Sequence, residues 1–256
     1  MPNLFLELQG TDGSRDTTPA PLGEAEALEF MENAEITAAS LIPWGSNYSF
    51  AVAMAGSGVT HLAVYKPRAG EAPLYDFRPG TLYKREIAAY RLSRWLGWHI
   101  VPPTIERDGP HGIGSLQLYV QPDDGIEDAE SFWGARSLDN ERLVLFDHIS
   151  NNADRKLSHC LLDSTGKVWG IDHGLTFNES SKMRTVLWQF SGFAISAALR
   201  NDLIRLVDDE DAISAELRPF LSGRELHAFQ NRIEQLLITG CYPQLNPYRN
   251  IPYGWW

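Results

Sequence analysis

Positive charge is in short supply in this chain. Lys and Arg number 22 against 33 Asp and Glu, which leaves a formal net charge of -11 and a pI near 5.1. Binding to DNA or RNA draws on counterion release, which needs clustered Lys and Arg. No such cluster occurs, so nucleic acid is not an expected partner, and an anionic membrane surface is unattractive to so acidic a chain. Long apolar runs are also missing: none approaches the roughly 20 residues that span a bilayer. The opening "MPNLFLELQGTDGSRD" has no basic start followed by an apolar block, so neither a secretion signal nor stable membrane insertion is expected. Cysteine is nearly absent. Cys160 and Cys241 have no metal-ligand spacing and read as small buried hydrophobes, with a reducing cytoplasm as the default compartment. No internal repeat is visible.

What is present fits a globular chain with room for one large domain or two small lobes sharing a cleft. Residues 1–22 mix Gly, Asp, Thr and Pro without periodicity and read as a flexible leader. Residues 23–34 read as a short helix, 35–43 as a strand and "WGSNYS" (44–49) as a turn. "FAVAMAG" and "VTHLAVYKP" are β-rich runs joined by Ser57-Gly58, a hairpin signal. Residues 67–79 carry Pro67, Pro73 and Pro79 and read as a loop. "GTLYKREIAAYRLSRWLGW" (80–98) has a helical apolar stripe that Gly97 can end. "HIVPPTIERDG" and "GSLQLYVQP" suggest another strand pair. Beyond residue 122 the character changes. An acidic, polar stretch precedes a helix at "NERLVLFDHISNN", a hairpin turning at Thr165-Gly166, and a mainly helical pattern over 186–240. In that last region Ser222, Glu225 and Gly240 are cap signals. The closing "YPQLNPYRNIPYGWW" reads as neither helix nor strand, with aromatics packed onto the body. The expectation is an α+β fold with a β-rich N-lobe over 23–122 and a mainly helical C-lobe over 123–256.

The chemistry-bearing residues follow an order. Lys66 ends the apolar run "LAVYK", and Glu86 stands on the helix after the proline loop. Each alone reads as a surface charge. Together they have the order strand lysine, loop, helix glutamate, which protein kinases use for the ion pair that holds a lysine on the α- and β-phosphates of ATP. Gly45, Ser46 and Asn47 precede the strand pair. Small residues there let backbone N–H groups approach phosphate oxygens, although a full G-x-G-x-x-G is absent and an ordinary turn is the plainer reading. Gln121 sits where a hinge between lobes would run, and backbone groups of 119–122 would meet adenine.

"NNADRKLSHCLL" (151–162) and "GIDHGLTF" (170–177) complete the set. A kinase catalytic loop places an aspartate as base for the attacking hydroxyl and a metal-binding asparagine five residues on, and a short hairpin then ends in a metal-chelating aspartate followed closely by glycine. Asp154 fits the first role, His159 sits at the second position, and Asp172 with Gly174 fits the last. Arg155 or Lys156 offers a cation for the charge that develops on the transferred phosphoryl. A loop ion pair for Asp154 and Arg155, and a capping role for Asp172, are the structural alternatives.

These two stretches resemble the catalytic and metal-binding segments of the phosphatidylinositol 3-/4-kinase-like superfamily. The N-x-D-R and I-D-N-G-L-A-F-type elements of the type II phosphatidylinositol 4-kinases are the nearest in form. With "WGSNYSF", "VYKP", "LYKREIAAYRLS" and the aromatic tail, the chain also resembles a mainly actinobacterial PI3/PI4-kinase-like family. The resemblance implies a bilobal kinase-like fold holding ATP with Mg²⁺ or Mn²⁺ between the lobes. It gives Lys66 to the phosphates, Glu86 to Lys66, Asp154 to catalysis and Asp172 to the metal. His159 departs from the usual asparagine. It can be a ligand that favours Mn²⁺, it can leave Asp172 and water to hold a single ion, or it can mark a site with little turnover; Asn151 and Asn152 stand near enough to compensate. The reading is a kinase acting on a hydroxyl of a protein or small-molecule acceptor, inositol-type compounds included. The alternatives are a nucleotide-binding pseudokinase and another ATP-dependent transferase such as an adenylyltransferase.

Overall fold

The computed structural model describes residues 22–123 and 128–253; the expected leader, but for residue 22, lies outside them. The chain forms two compact units, Met1–Ile87 with Pro102–Val120 and Ala88–Val101 with Gln121–Trp256. The β-rich first part and helical second part give the α+β class expected from the sequence.

In the first unit, helix α1 (Glu24–Asn33) precedes an antiparallel sheet. Its strands are β1 (Glu35–Leu41), β2 (Phe50–Gly56), β3 (Val59–Pro67), β4 (Thr104–Gly109) and β5 (Gly112–Leu118), in the order β1-β2-β3-β5-β4. Ser57 and Gly58 join β2 to β3 with φ of 52° and 78°. Two successive positive φ values are what a two-residue turn needs to match the strand twist, and glycine adopts one without strain. Met31 of α1 packs with Val52, Met54, Ala63, Tyr65, Ile105 and Leu116 on one sheet face. Ala51, Ala53 and Leu62 form the apolar patch on the other face. The Arg107 guanidinium donates to the carbonyls of Met31 and Ala34. It satisfies orphan acceptors and opposes the negative end of the helix dipole.

Helix α2 (Leu82–Trp95) carries Glu86. It ends at Gly97, and Ser93 Oγ then accepts the N–H groups of Ile100 and Val101 at 2.9 and 3.1 Å. In the second unit, α3 (Ala129–Gly134) leads to α4 (Leu138–Ser150), whose residues Leu143 to Ser150 are all buried. A helix buried on every side over two turns belongs inside a core, and its polar Asp147 must be paired there. The hairpin of β6 (Cys160–Leu162) and β7 (Val168–Gly170) follows, then α5 (Ala197–Asp208), α6 (Glu210–Leu217) and α7 (Gly223–Thr239). The α7 signals read from sequence operate as expected: Ser222 and Glu225 form a capping box and Gly240 closes the helix in the left-handed region. Leu199, Leu203 and Leu206 of α5, with Leu226, Phe229, Ile233 and Leu236 of α7, are the buried residues of these helices.

Two expectations need correction. Residues 186–196, the start of the stretch expected to be mainly helical, are not helical. Where this stretch begins, the chain pairs with the loop after α4: Arg155 N–H donates to Arg184 O at 3.0 Å, and Val186 N–H donates to Arg155 O at 3.1 Å. The aromatic tail also packs only in part. Tyr242 is buried and donates to Glu141 Oε1 at 3.1 Å, whereas Tyr248 is 94% exposed.

Candidate active site

The first unit supplies a cation and its anchor. Lys66 lies one residue from the end of β3, and its Nζ pairs with Glu86 Oε1 of α2. The lysine side chain is 24% exposed and the glutamate side chain 3%. A carboxylate so deeply buried must be paired, so Glu86 fixes where the ammonium points. The two residues named from their order along the chain therefore meet. Gly45, Ser46 and Asn47 lie in the β1–β2 connection, with Gly45 at φ 108°. Asn47 Oδ1 accepts the Ala72 N–H at 2.8 Å, and Tyr48 N–H donates to Gly70 O at 2.9 Å, so the turn is tied to the segment after β3. Gln121 is exposed, and its Nε2 donates to Pro122 O at 3.4 Å.

The second unit supplies the acidic groups. Helix α4 stops at Asn151, in the left-handed region with φ 54° and ψ 50°. The chain then turns through Asn152 to Asp154. Asn152 Oδ1 accepts the Asp154 N–H at 3.0 Å and its Nδ2 donates to Asp147 Oδ1 at 2.9 Å. Asn151 Nδ2 donates to the carbonyls of Asn178 and Ser180, while its Oδ1 accepts the Lys182 N–H. Both asparagines are thus committed to shaping the loop.

Arg155 is one of the two cations that the sequence offers to the transferred phosphoryl. Its side chain is wholly buried. Nε and Nη2 bind Asp147 at 2.8 Å each, and Nη1 donates to the carbonyls of His159 and Ile171 at 3.0 and 2.9 Å. Nη2 also donates to His173 Nε2 at 2.8 Å. Burial alone would lower its pKa, but the Asp147 carboxylate outweighs burial and raises it. Arg155 clamps helix, loop and hairpin together. Lys156 is the cation at hand: its Nζ lies 3.0 Å from Asp154 Oδ2. Asp147 had no signal of its own in the sequence.

The short hairpin brings its two ends together. Cys160 pairs with Gly170 and Ile171 N–H donates to His159 O at 3.0 Å. As a result His159 and Asp172 are neighbours, with Nε2 3.3 Å from Oδ2. His159 Nδ1 lies 3.0 Å from the Asp154 carbonyl oxygen and 3.4 Å from the Lys156 N–H. The first contact uses Nδ1 as a donor and the second uses it as an acceptor, so the tautomer sets which of them forms. With the hydrogen on Nδ1 alone, Nε2 turns a lone pair toward Asp172; with a hydrogen on Nε2, the ring donates to Asp172. A lone pair beside a carboxylate is a donor set that suits a cation. Asp172 has φ of 60° and a side chain 47% exposed, and aspartate tolerates that strained backbone region better than most residues. Asp154 has its pKa raised, first by burial; Asp172 adds to the rise, while Lys156 and His159 oppose it.

Among the described residues no three His, Cys, Asp or Glu side chains form a ready-made metal cage. Mg²⁺ in phosphoryl-transfer sites takes one or two carboxylates and completes its shell with phosphate and water. The half-exposed Asp172 with His159 at its side fits that incomplete kind of site.

No protein-family model matches the chain. Its fold resembles that of hydra Fam20, solved with sugar, with a TM-score of 0.60 and 17% identity over 84% of this chain and 88% of that one. It also resembles the Golgi casein kinase, with a TM-score of 0.52 and 15% identity over 84% of this chain and 74% of that one. The class is therefore a kinase-like α+β fold. Within it, the chain belongs to the family of Protein Rv2133c of Mycobacterium tuberculosis (strain ATCC 25618 / H37Rv): the two are 35% identical over 262 aligned residues, covering 87% of this chain and 93% of that protein. Among the described residues no helix is long and apolar enough to cross a membrane.

Proposed function

We propose that the protein is an ATP- and divalent-metal-dependent kinase that transfers the γ-phosphoryl group to a hydroxyl of a protein or small-molecule acceptor, inositol-type compounds included. The observation that carries this reading is the grouping of Asp154, His159 and Asp172 around one short hairpin, in a chain whose fold is kinase-like. The PI3/PI4-kinase-like character belongs to the same proposal and rests on the "NNADR" and "GIDHGLTF" elements.

In this reading Lys66, aimed by Glu86, serves the α- and β-phosphates. Backbone N–H groups of Gly45, Ser46 and Asn47 cover the phosphates, the Asn47 side chain being engaged with Ala72. Backbone groups beside Gln121 receive adenine. Asp154 takes the proton of the acceptor hydroxyl as its oxygen bonds to Pγ and the bond from Pγ to the ADP oxygen breaks. A carboxylate with a raised pKa is the better base for that step. Lys156 takes the cationic role that buried Arg155 cannot. Asp172, with His159 beside it, would hold Mg²⁺ or Mn²⁺. A divalent ion bound there neutralises charge on the phosphates.

The test compares γ-labelled with α-labelled ATP. Wild type should transfer only the γ label. Asp154→Asn should keep the ATP-dependent rise in melting temperature and lose turnover, and Asp172→Asn should lose metal-dependent nucleotide binding. Wild-type turnover in both variants, or transfer of the α label, overturns the reading. Nucleotide binding without transfer is the second reading, favoured by histidine at position 159 and by the Lys156 ammonium on Asp154. His159→Asn separates the two: a kinase tuned by His159 should gain Mg²⁺-supported activity relative to Mn²⁺, whereas a pure binder gains none.

A further inference from the structure

Arg232 of α7 is a guanidinium with no carboxylate partner among the described residues. Its Nε donates to Ile149 O at 2.9 Å and its Nη1 to Asn178 O at 3.2 Å. Its Nη2 is buried and has no hydrogen-bond partner among the described residues. A buried donor left unmatched is costly, and burial pulls the pKa of this group down to about 10. Arg232 lines a cavity of about 1080 Å³ in the second unit, formed by α7, residues 179–184 and the tail from Pro243 to Tyr253. Lys182, Arg184 and Arg249 line the same cavity, where Glu179 is the one acidic residue among the described residues. In a chain of net charge -11, such a concentration of cations in one concave place focuses a positive field.

The size of the cavity exceeds what a bare anion needs and reaches the range of pockets that hold whole small molecules. Its remaining wall is rich in amides, Asn231 and Gln235 among them, which donate to and accept from hydroxyl groups. Guanidinium forks match phosphate oxygens in geometry as well as charge. We propose that this cavity is a binding site for a small phosphorylated molecule with hydroxyl groups, its phosphate held by Arg232 together with Arg184, Arg249 and Lys182. The site contains neither Asp154 nor Asp172 and does not rest on the kinase reading. Asn151 lines it too, so one wall is continuous with the start of the loop that carries Asp154.

Thermal unfolding and calorimetry on the full chain test this, with glucose 6-phosphate and inorganic pyrophosphate as probes, and with glucose and NaCl at matched ionic strength as controls. Saturating probe should raise the melting temperature by about 5 °C or more, and the controls should not. Arg232→Gln removes two backbone hydrogen bonds and can fail to fold. Arg249→Gln, at an exposed position, is the decisive variant, and affinity should fall by about tenfold or more. Asp172→Asn should leave the response intact. No response to either probe overturns the proposal. So does an equal response in Arg249→Gln, a shift reproduced by NaCl, or a response lost in Asp172→Asn, which would place the anion at the nucleotide site instead.

Discussion

Arg155 grips Asp147 through two guanidinium nitrogens, Nε to Oδ2 and Nη2 to Oδ1, each at 2.8 Å, with neither side chain exposed to solvent. The same guanidinium holds the carbonyls of His159 and Ile171, which flank the hairpin carrying the acidic site. Removing one member of a buried ion pair leaves the other charge uncompensated, at a cost of about 3–5 kcal/mol. Arg155→Met should lower stability by about that amount in urea unfolding. Arg155→Lys should recover little of it, because an ammonium cannot make the forked contact. Adding Asp147→Leu to Arg155→Met should restore only part, since the two carbonyls stay unmatched. Full recovery in the double variant would show that the clamp is a simple pair.

Lys66 and Glu86 are a second pair, partly open to water on the lysine side. Lys66→Met should cost about 1–3 kcal/mol, the range for a buried charged group that loses its partner, with the low end favoured by solvent screening. Lys66→Met with Glu86→Leu should regain most of that stability and still show no melting-temperature rise with ATP and metal. Retained nucleotide binding in the double variant would remove Lys66 from the phosphate site.

The pH dependence of turnover should report Asp154. Burial raises its pKa, so a base at this position is neutralised at a higher pH than an ordinary carboxylate. Activity should be present above that pH and fall about tenfold for each unit below it. Lys156 lowers the Asp154 pKa, so Lys156→Met should move the acidic limb to higher pH. A limb that stays in place or moves down would exclude Asp154 as the group that titrates.

His148 is buried, and burial lowers its pKa from 6.5 to about 4, with Asp147 opposing the shift. The unfolded chain therefore takes up the proton first as pH falls. Stability that is fully present above pH 6.5 is lost as pH drops toward 4, by roughly 3 kcal/mol from this group. His148→Gln should flatten that slope in urea unfolding measured across the window, whatever it does to stability at neutral pH. An unchanged slope would show that His148 takes up its proton alike in the folded and the unfolded chain.

Local signals were readable wherever neighbouring residues carry the whole requirement. Ser57-Gly58 specifies a two-residue turn, Ser222 with Glu225 specifies a helix start, and Thr165-Gly166 turns the small hairpin. The order of Lys66 and Glu86 was also legible, because a strand lysine followed by a helix glutamate is the order of the ion pair in protein kinases. The segment 186–196 was misread as helical because the chain there starts by pairing with Arg155 through the Val186 N–H, a partner that no window around it contains. Arg155 was misplaced for a related reason: its position beside Asp154 says nothing of an Asp147 carboxylate one helix turn before the loop.

By itself, then, the order of residues determined the α+β class, the turns and caps, and which side chains carry ionisable chemistry, since each depends on periodicity, backbone freedom or charge along a short stretch. Tertiary structure alone decided which cation is buried and which stays beside Asp154, that both asparagines shape the loop, and that Arg232 ends in a cavity with three other cations. Those outcomes depend on solvent exclusion and on distances between segments far apart along the chain, and a buried charge finds its partner only when packing has chosen what surrounds it.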